Sequence, residues 1–91
     1  MPTSDTVIVE FYGIPRQRAG QAQLAVQAGT VREVLMAVER SCPGLAGLVG
    51  ADGRLPPQYL ISLDGQRFLT ESSETLQPGG RLLLLTADAG G

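Results

Sequence analysis

Apolar and polar positions alternate with a period of two at the start of the chain. In TVIVEFYG, residues 6–13, Val7, Val9 and Phe11 share one side and Ile8, Glu10 and Tyr12 the other. β-Branched and aromatic residues dominate, so the stretch predicts a strand closed by Gly13. GIPRQRAG, residues 13–20, has no apolar period and reads as a polar loop bounded by glycines. In AQLAV, residues 22–26, Leu24 and Val26 fall on one side, which predicts a short antiparallel return strand and hence a long-looped hairpin.

The period then changes. Val31, Val34, Leu35 and Val38 follow the i, i+3, i+4, i+7 spacing of one helical face, and Thr30 with Glu33 has the spacing of a capping box. Pro43 and Gly44 end this helix, the one clear helix of the sequence. LAGLVGADGRLPP, residues 45–57, mixes apolar anchors with Gly and Pro, predicting a short helical turn and then loop. QYLISLDGQRFL, residues 58–69, has two apolar runs around Asp64-Gly65, a pair that tolerates positive φ and so predicts a second hairpin. TESSETLQPGG is a polar connection with Leu76 as its apolar anchor, and RLLLLT, residues 81–86, is apolar on both sides, as a strand in the middle of a sheet is.

The predicted order is β-β-α-β-β-β, with one helix on one face of a mixed sheet of about five strands. Placing the two most apolar strands, the first and the last, side by side at the centre gives an α+β protein of β-grasp, ubiquitin-like architecture. Residues 1–86 form this domain and residues 87–91 a tail ending in Gly90-Gly91. At 91 residues the chain has room for one core and no second domain.

Composition narrows the chemistry. Histidine is absent and Cys42 is the single cysteine, so histidine-dependent catalysis, an internal disulfide and a cysteine-rich metal site are excluded. No metal site is expected. Cys42, at a helix end with no base beside it, reads as a small packing residue. A net charge of −2 with scattered basic residues gives no footprint for nucleic acid, and no apolar run approaches the roughly 20 residues that span a bilayer. The N-terminal MPTSDTVIVE lacks the features of a secretory signal, which leaves the cytoplasm as the expected location. All the basic residues are arginine, a bias that codon usage explains. Asp52, Asp64, Glu71 and Glu74 lack the pairing of a metal or acid-base site and read as solvating charges.

VIVEFYGIPRQRAG, TVREVLMAVERSCPGL and above all LQPGGRLLLLTADAGG resemble the small prokaryotic ubiquitin-like sulfur carriers. That family includes the molybdopterin synthase small subunit, the thiamine-thiazole sulfur carrier and relatives serving cysteine, siderophore or tRNA sulfuration. Gly80 stands where the family has an acidic residue, and TADA where prolines are common, which leaves the subfamily open.

The resemblance implies a protein co-substrate, not an enzyme. An E1-like adenylyltransferase would use ATP to adenylate the Gly91 carboxylate, and a sulfurtransferase or cysteine desulfurase would supply the sulfur of a thiocarboxylate. An acceptor enzyme would then take that sulfur, with the molybdopterin synthase large subunit favoured over thiazole synthase. No bound cofactor is implied. Gly90, without a Cβ, would give the backbone clearance in the activating cleft. Ile8, Leu83 and Leu85, on the face opposite the helix, are candidate partner contacts, as are Arg16 and Arg18 in the first loop. Two other readings stay open: a ubiquitin-like modifier joined to target lysines, and a β-grasp interaction domain whose terminal glycines are fortuitous.

Overall fold

A computed structural model describes residues 5–49 and 59–86. Its elements are β1 (Thr6–Phe11), α1 (Ile14–Ala19), β2 (Gln23–Gln27), α2 (Val31–Ser41), a 3₁₀ turn (Pro43–Leu45), β3 (Tyr59–Leu63), β4 (Arg67–Phe68) and β5 (Arg81–Thr86). They form one five-stranded sheet in the order β2-β1-β5-β3-β4. β1 and β5 are parallel neighbours at its centre, with Val9 opposite Leu82 and Phe11 opposite Leu84. The other pairings are antiparallel.

The alternation seen in the sequence sorts residues between the two faces. Val7, Val9, Phe11, Val26, Ile61, Leu82 and Leu84 are buried beneath α2, which contributes Val31, Val34, Leu35 and Val38. α2 starts where its terminal amides find acceptors. Thr30 Oγ1 accepts from the Glu33 amide at 3.1 Å, and Glu33 Oε1 accepts from the Thr30 amide at 2.9 Å. Val31 and Arg32 donate to the Glu74 and Ser72 carbonyls at 2.8 and 2.9 Å. The polar connection thus serves as the helix's second cap, anchored by Leu76, which is 2% exposed. Cys42 is buried in the same core.

The expected loop at GIPRQRAG is instead α1, so Arg16 and Arg18 sit on the last turn of a helix. This element forms from its ends and not from an apolar stripe. Gly13 opens it at φ 63°, Pro15 occupies the first turn, and Gly20 closes it at φ 75° with its amide donating to the Arg16 carbonyl. The two arginines also lie at the end of the helix dipole that favours cations. At the predicted Asp64-Gly65 turn both residues have positive φ, and the Gln66 amide donates to the Leu63 carbonyl at 2.9 Å.

α1 packs closely against the 3₁₀ turn. A Cβ placed on Gly44 would lie 2.3 Å from the Arg18 carbonyl oxygen, a contact that backbone on both sides cannot relax cheaply. Gly44→Ala is therefore expected to lower stability by about 1–3 kcal/mol, read as a lower midpoint in thermal or urea unfolding. An unchanged midpoint would mean that α1 and the turn are not held this close.

Candidate functional site

β5 is paired with β1 over Arg81–Leu84 and with β3 over Leu82–Thr86, and it ends at Thr86 where several elements converge. Tyr59 lies opposite Thr86 in the β3–β5 register, and Arg18 Nη1 donates to the Tyr59 hydroxyl at 2.9 Å, tying α1 to the start of β3. The Tyr12 amide donates to the Leu84 carbonyl at 3.1 Å. Gly13 follows at once, and a Cβ there would sit 3.7 Å from Thr86 Oγ1. That oxygen is enclosed and has no hydrogen-bond partner among the described residues. Gly90 and Gly91, the expected reacting end, lie outside the described residues, as does Asp52.

Among the described residues no helix covers the face opposite α2. Ile8, Leu83 and Leu85 all belong to it, as the alternation implies, and each is half-buried. The register joins Leu83 to Glu10 on one side and to Ser62 on the other, and Leu85 to Leu60. Phe68 lies opposite Ser62. On the β3–β4 side of this face the exposed apolar groups are Leu60, at 37%, and Phe68, at 58%, neither of which the sequence reading singled out. The signal was present in YLISL, where alternation sets Leu60 against Tyr59 and Ile61, but placing Phe68 required the hairpin register. Beyond β5 the same face turns polar. Glu10 accepts from both the Tyr12 hydroxyl and the Arg81 guanidinium, and Ile8 lies beside Arg81.

Arg16 and Arg18 stand away from this apolar strip, on α1. Arg16 is exposed and Arg18 is engaged with Tyr59. Asp64 Oδ1 accepts the Arg81 amide at 3.0 Å, joining the end of β3 to the start of β5, and Glu74 pairs with Arg67, tying the polar connection to β4. Among the described residues no cluster of His, Cys, Asp or Glu is arranged to hold a metal, and no helix is long and apolar enough to cross a membrane.

No family model and no curated protein matches the sequence. Solved structures do match. SAMP1 from Haloferax volcanii, a small archaeal modifier protein, has a TM-score of 0.78 at 22% identity over 94% of this chain and 99% of its own. A chain of the Amycolatopsis orientalis BexX/CysO complex gives 0.77 at 21% identity, over 93% and 99%. The putative molybdopterin converting factor subunit 1 from Pyrococcus furiosus gives 0.70 at 18%, over 89% and 95%. At such identities the likeness establishes the fold: this is an α+β protein with the β-grasp, ubiquitin-like architecture. The short α1 adds a second helix to the one that the sequence predicts.

Two outcomes test the two faces and the polar cluster. Leu82→Ala or Leu84→Ala is expected to cost about 2–5 kcal/mol, since both are fully enclosed, whereas Leu85→Glu should retain a cooperative melt by circular dichroism. The reverse split would mean that the strand faces are exchanged. In the polar cluster, the Tyr12 hydroxyl first and the Arg81 guanidinium second hold the Glu10 carboxyl below its ordinary value, while the bond to Glu10 raises the Tyr12 phenol. Tyr12→Phe should therefore move the Glu10 titration upward in a carboxyl NMR experiment. The sign for stability follows: the Glu10 contribution is present above the unfolded carboxyl pKa and is lost as pH falls through the depressed folded one.

Proposed function

We propose that this protein is a sulfur carrier, a co-substrate recycled between an activating enzyme and an acceptor enzyme in the cytoplasm. The observation that carries the reading is the position of β5. It is the central strand, fixed on both sides, and it ends at Thr86, five residues ahead of Gly91 and beside an uncovered apolar face. A rigid strand delivering a short Gly-ended segment next to a docking surface suits a terminus that reacts in another protein's cleft. The likeness to a CysO complex and to a putative molybdopterin converting factor subunit supports the carrier class. The second of these favours molybdopterin synthesis as the receiving pathway.

A carboxylate is a poor electrophile, so activation comes first. The Gly91 carboxylate attacks the α-phosphorus of ATP on an E1-like adenylyltransferase, giving the acyl-adenylate and pyrophosphate. The terminal sulfur of a persulfide on a sulfurtransferase or cysteine desulfurase then attacks the acyl carbon and displaces AMP, and a second thiol cleaves the resulting acyl disulfide, leaving a disulfide on the donor enzyme and a thiocarboxylate for the acceptor. Gly90 gives clearance in the cleft, and Ile8, Leu83 and Leu85, with Leu60 and Phe68, form the docking face. Arg16, exposed on α1, would meet an acidic group of the partner. No residue of the carrier performs the chemistry, so the purified protein alone turns over no small substrate.

The assay is ATP–pyrophosphate exchange with the cognate activating enzyme, followed by intact-mass analysis, which also shows at which residue the chain ends in the cell. Deleting Gly91 or extending the chain by one residue should abolish exchange without moving the melting temperature, and Gly90→Ala should slow it. Leu85→Glu should weaken association with the activating enzyme, because the new carboxylate must be desolvated at an apolar contact. Undiminished exchange after deletion of Gly91 would refute the proposal. A second reading, a protein modifier, is supported by the likeness to a small archaeal modifier; the absence of lysine suits both readings equally. A stable adduct to lysines of other proteins, in place of exchange of one oxygen for sulfur, would select it.

A further inference from the structure

The two edges of the sheet are built differently. At one, β4 has two residues, one of them charged, Arg67. At the other, β2 is Gln23-Leu24-Ala25-Val26-Gln27, without a charge, a proline or a break in register against β1. Edge strands are usually kept from pairing with other chains by such devices. The ladder also fixes where the backbone groups of β2 point. The Ala22 carbonyl accepts from the Phe11 amide at 2.9 Å, and the Ala28 amide donates to the Asp5 carbonyl at 2.7 Å, with unbroken antiparallel register between. Alternation therefore aims the N–H and C=O of Leu24 and Val26 at β1, and those of Gln23, Ala25 and Gln27 at the outer edge, which no described strand pairs. The side chains of Gln23, Ala25 and Gln27 are exposed.

We propose that this edge binds a second copy of the chain, β2 antiparallel to β2, about a two-fold axis through Ala25, so that the two sheets become one. In that register Ala25 faces its own copy and Gln23 faces Gln27 of the other chain. Each pair exchanges both N–H···O=C bonds, because these are the residues whose backbone groups already point outward. The smallest side chain lies on the axis, glutamine amides oppose one another on the face away from α2, and Leu24 opposes Val26 on the α2 side. A slip of one residue would set groups committed to β1 against the newcomer, so the pairing is specified.

Charge selects a second copy over an unrelated strand. The side of α2 that looks toward β2 carries Glu33, Met36, Ala37 and Arg40, lining a groove of about 380 Å³ with Gln27 and Ala28. Met36 is 38% exposed. The two-fold axis reverses α2, so the acidic end of each helix approaches the basic end of the other, a complementarity that is satisfied twice. β2 is the edge farthest from β4, so pairing leaves Leu60, Phe68, Leu83 and the end of β5 uncovered. The inference does not rest on the sulfur-carrier reading, and its failure would leave that reading intact.

Sedimentation equilibrium of the full chain from about 1 µM to 1 mM tests it, with residue-resolved amide exchange at both ends of that range. The expected result is a shift from 9.6 kDa toward twice that mass, with slowing of exchange at Gln23, Ala25 and Gln27 as concentration rises. Ala25→Pro removes an N–H that faces the free edge and leaves the β1 ladder intact, so it should raise the dissociation constant at least about tenfold with a near-normal melt. Ala25→Lys sets two ammonium groups across the axis and should dissociate the pair in a manner that salt partly reverses. A monomer throughout the range would overturn the proposal and leave the edge to an extended segment of another protein. A dimer indifferent to both substitutions would overturn it too, as would exchange at those amides that does not depend on concentration.

Discussion

The structure depends on one pairing, the parallel contact between β1 and β5. It joins residues about as far apart in the chain as the domain allows and creates the surface on which α2 rests. Val9 with Leu82 and Phe11 with Leu84 are the side chains that α2 covers, and none of them has another means of burial. Apolar surface removed from water is the main favourable term in a domain of this size. Losing the β1–β5 register would move every leucine of β5 to the wrong face.

Coverage on one face only has a chemical counterpart. The side under α2 is closed by Val, Leu, Ile and Phe, while the other divides along β5 into an apolar half on β3 and β4 and a polar half on β1. Glu10, Tyr12 and Arg81 satisfy one another on that polar half without needing a partner. The apolar half has no such internal solution. Phe68 and Leu60 stay exposed there.

The sheet and α2 were legible because period and position agree: two-fold alternation in VIVEF and RLLLL, 3.6-fold spacing in α2, and a capping box at its start. α1 was not, since it buries Pro15 and no stripe, and its signal lies in the order of glycine, proline and glycine at its ends. The face of Ile8, Leu83 and Leu85 was readable from alternation alone. Its continuation through Leu60 to Phe68 was not, because it depends on which strands become neighbours, and that is set by packing between distant segments. Likewise, nothing in QLAVQ taken alone says that it ends the sheet. Only the strand order reveals its unpaired edge.

The central place of β5 also bears on how the chain is made. β5 follows every other element in the chain and cannot enter the sheet before it has emerged from the ribosome, so the domain completes its core only after β1 and α2 have been made. A nascent chain that stops short of Leu82 lacks the middle of its sheet and leaves α2 with little to pack against. Such fragments are open to proteolysis, whereas any folded molecule has already been translated through β5.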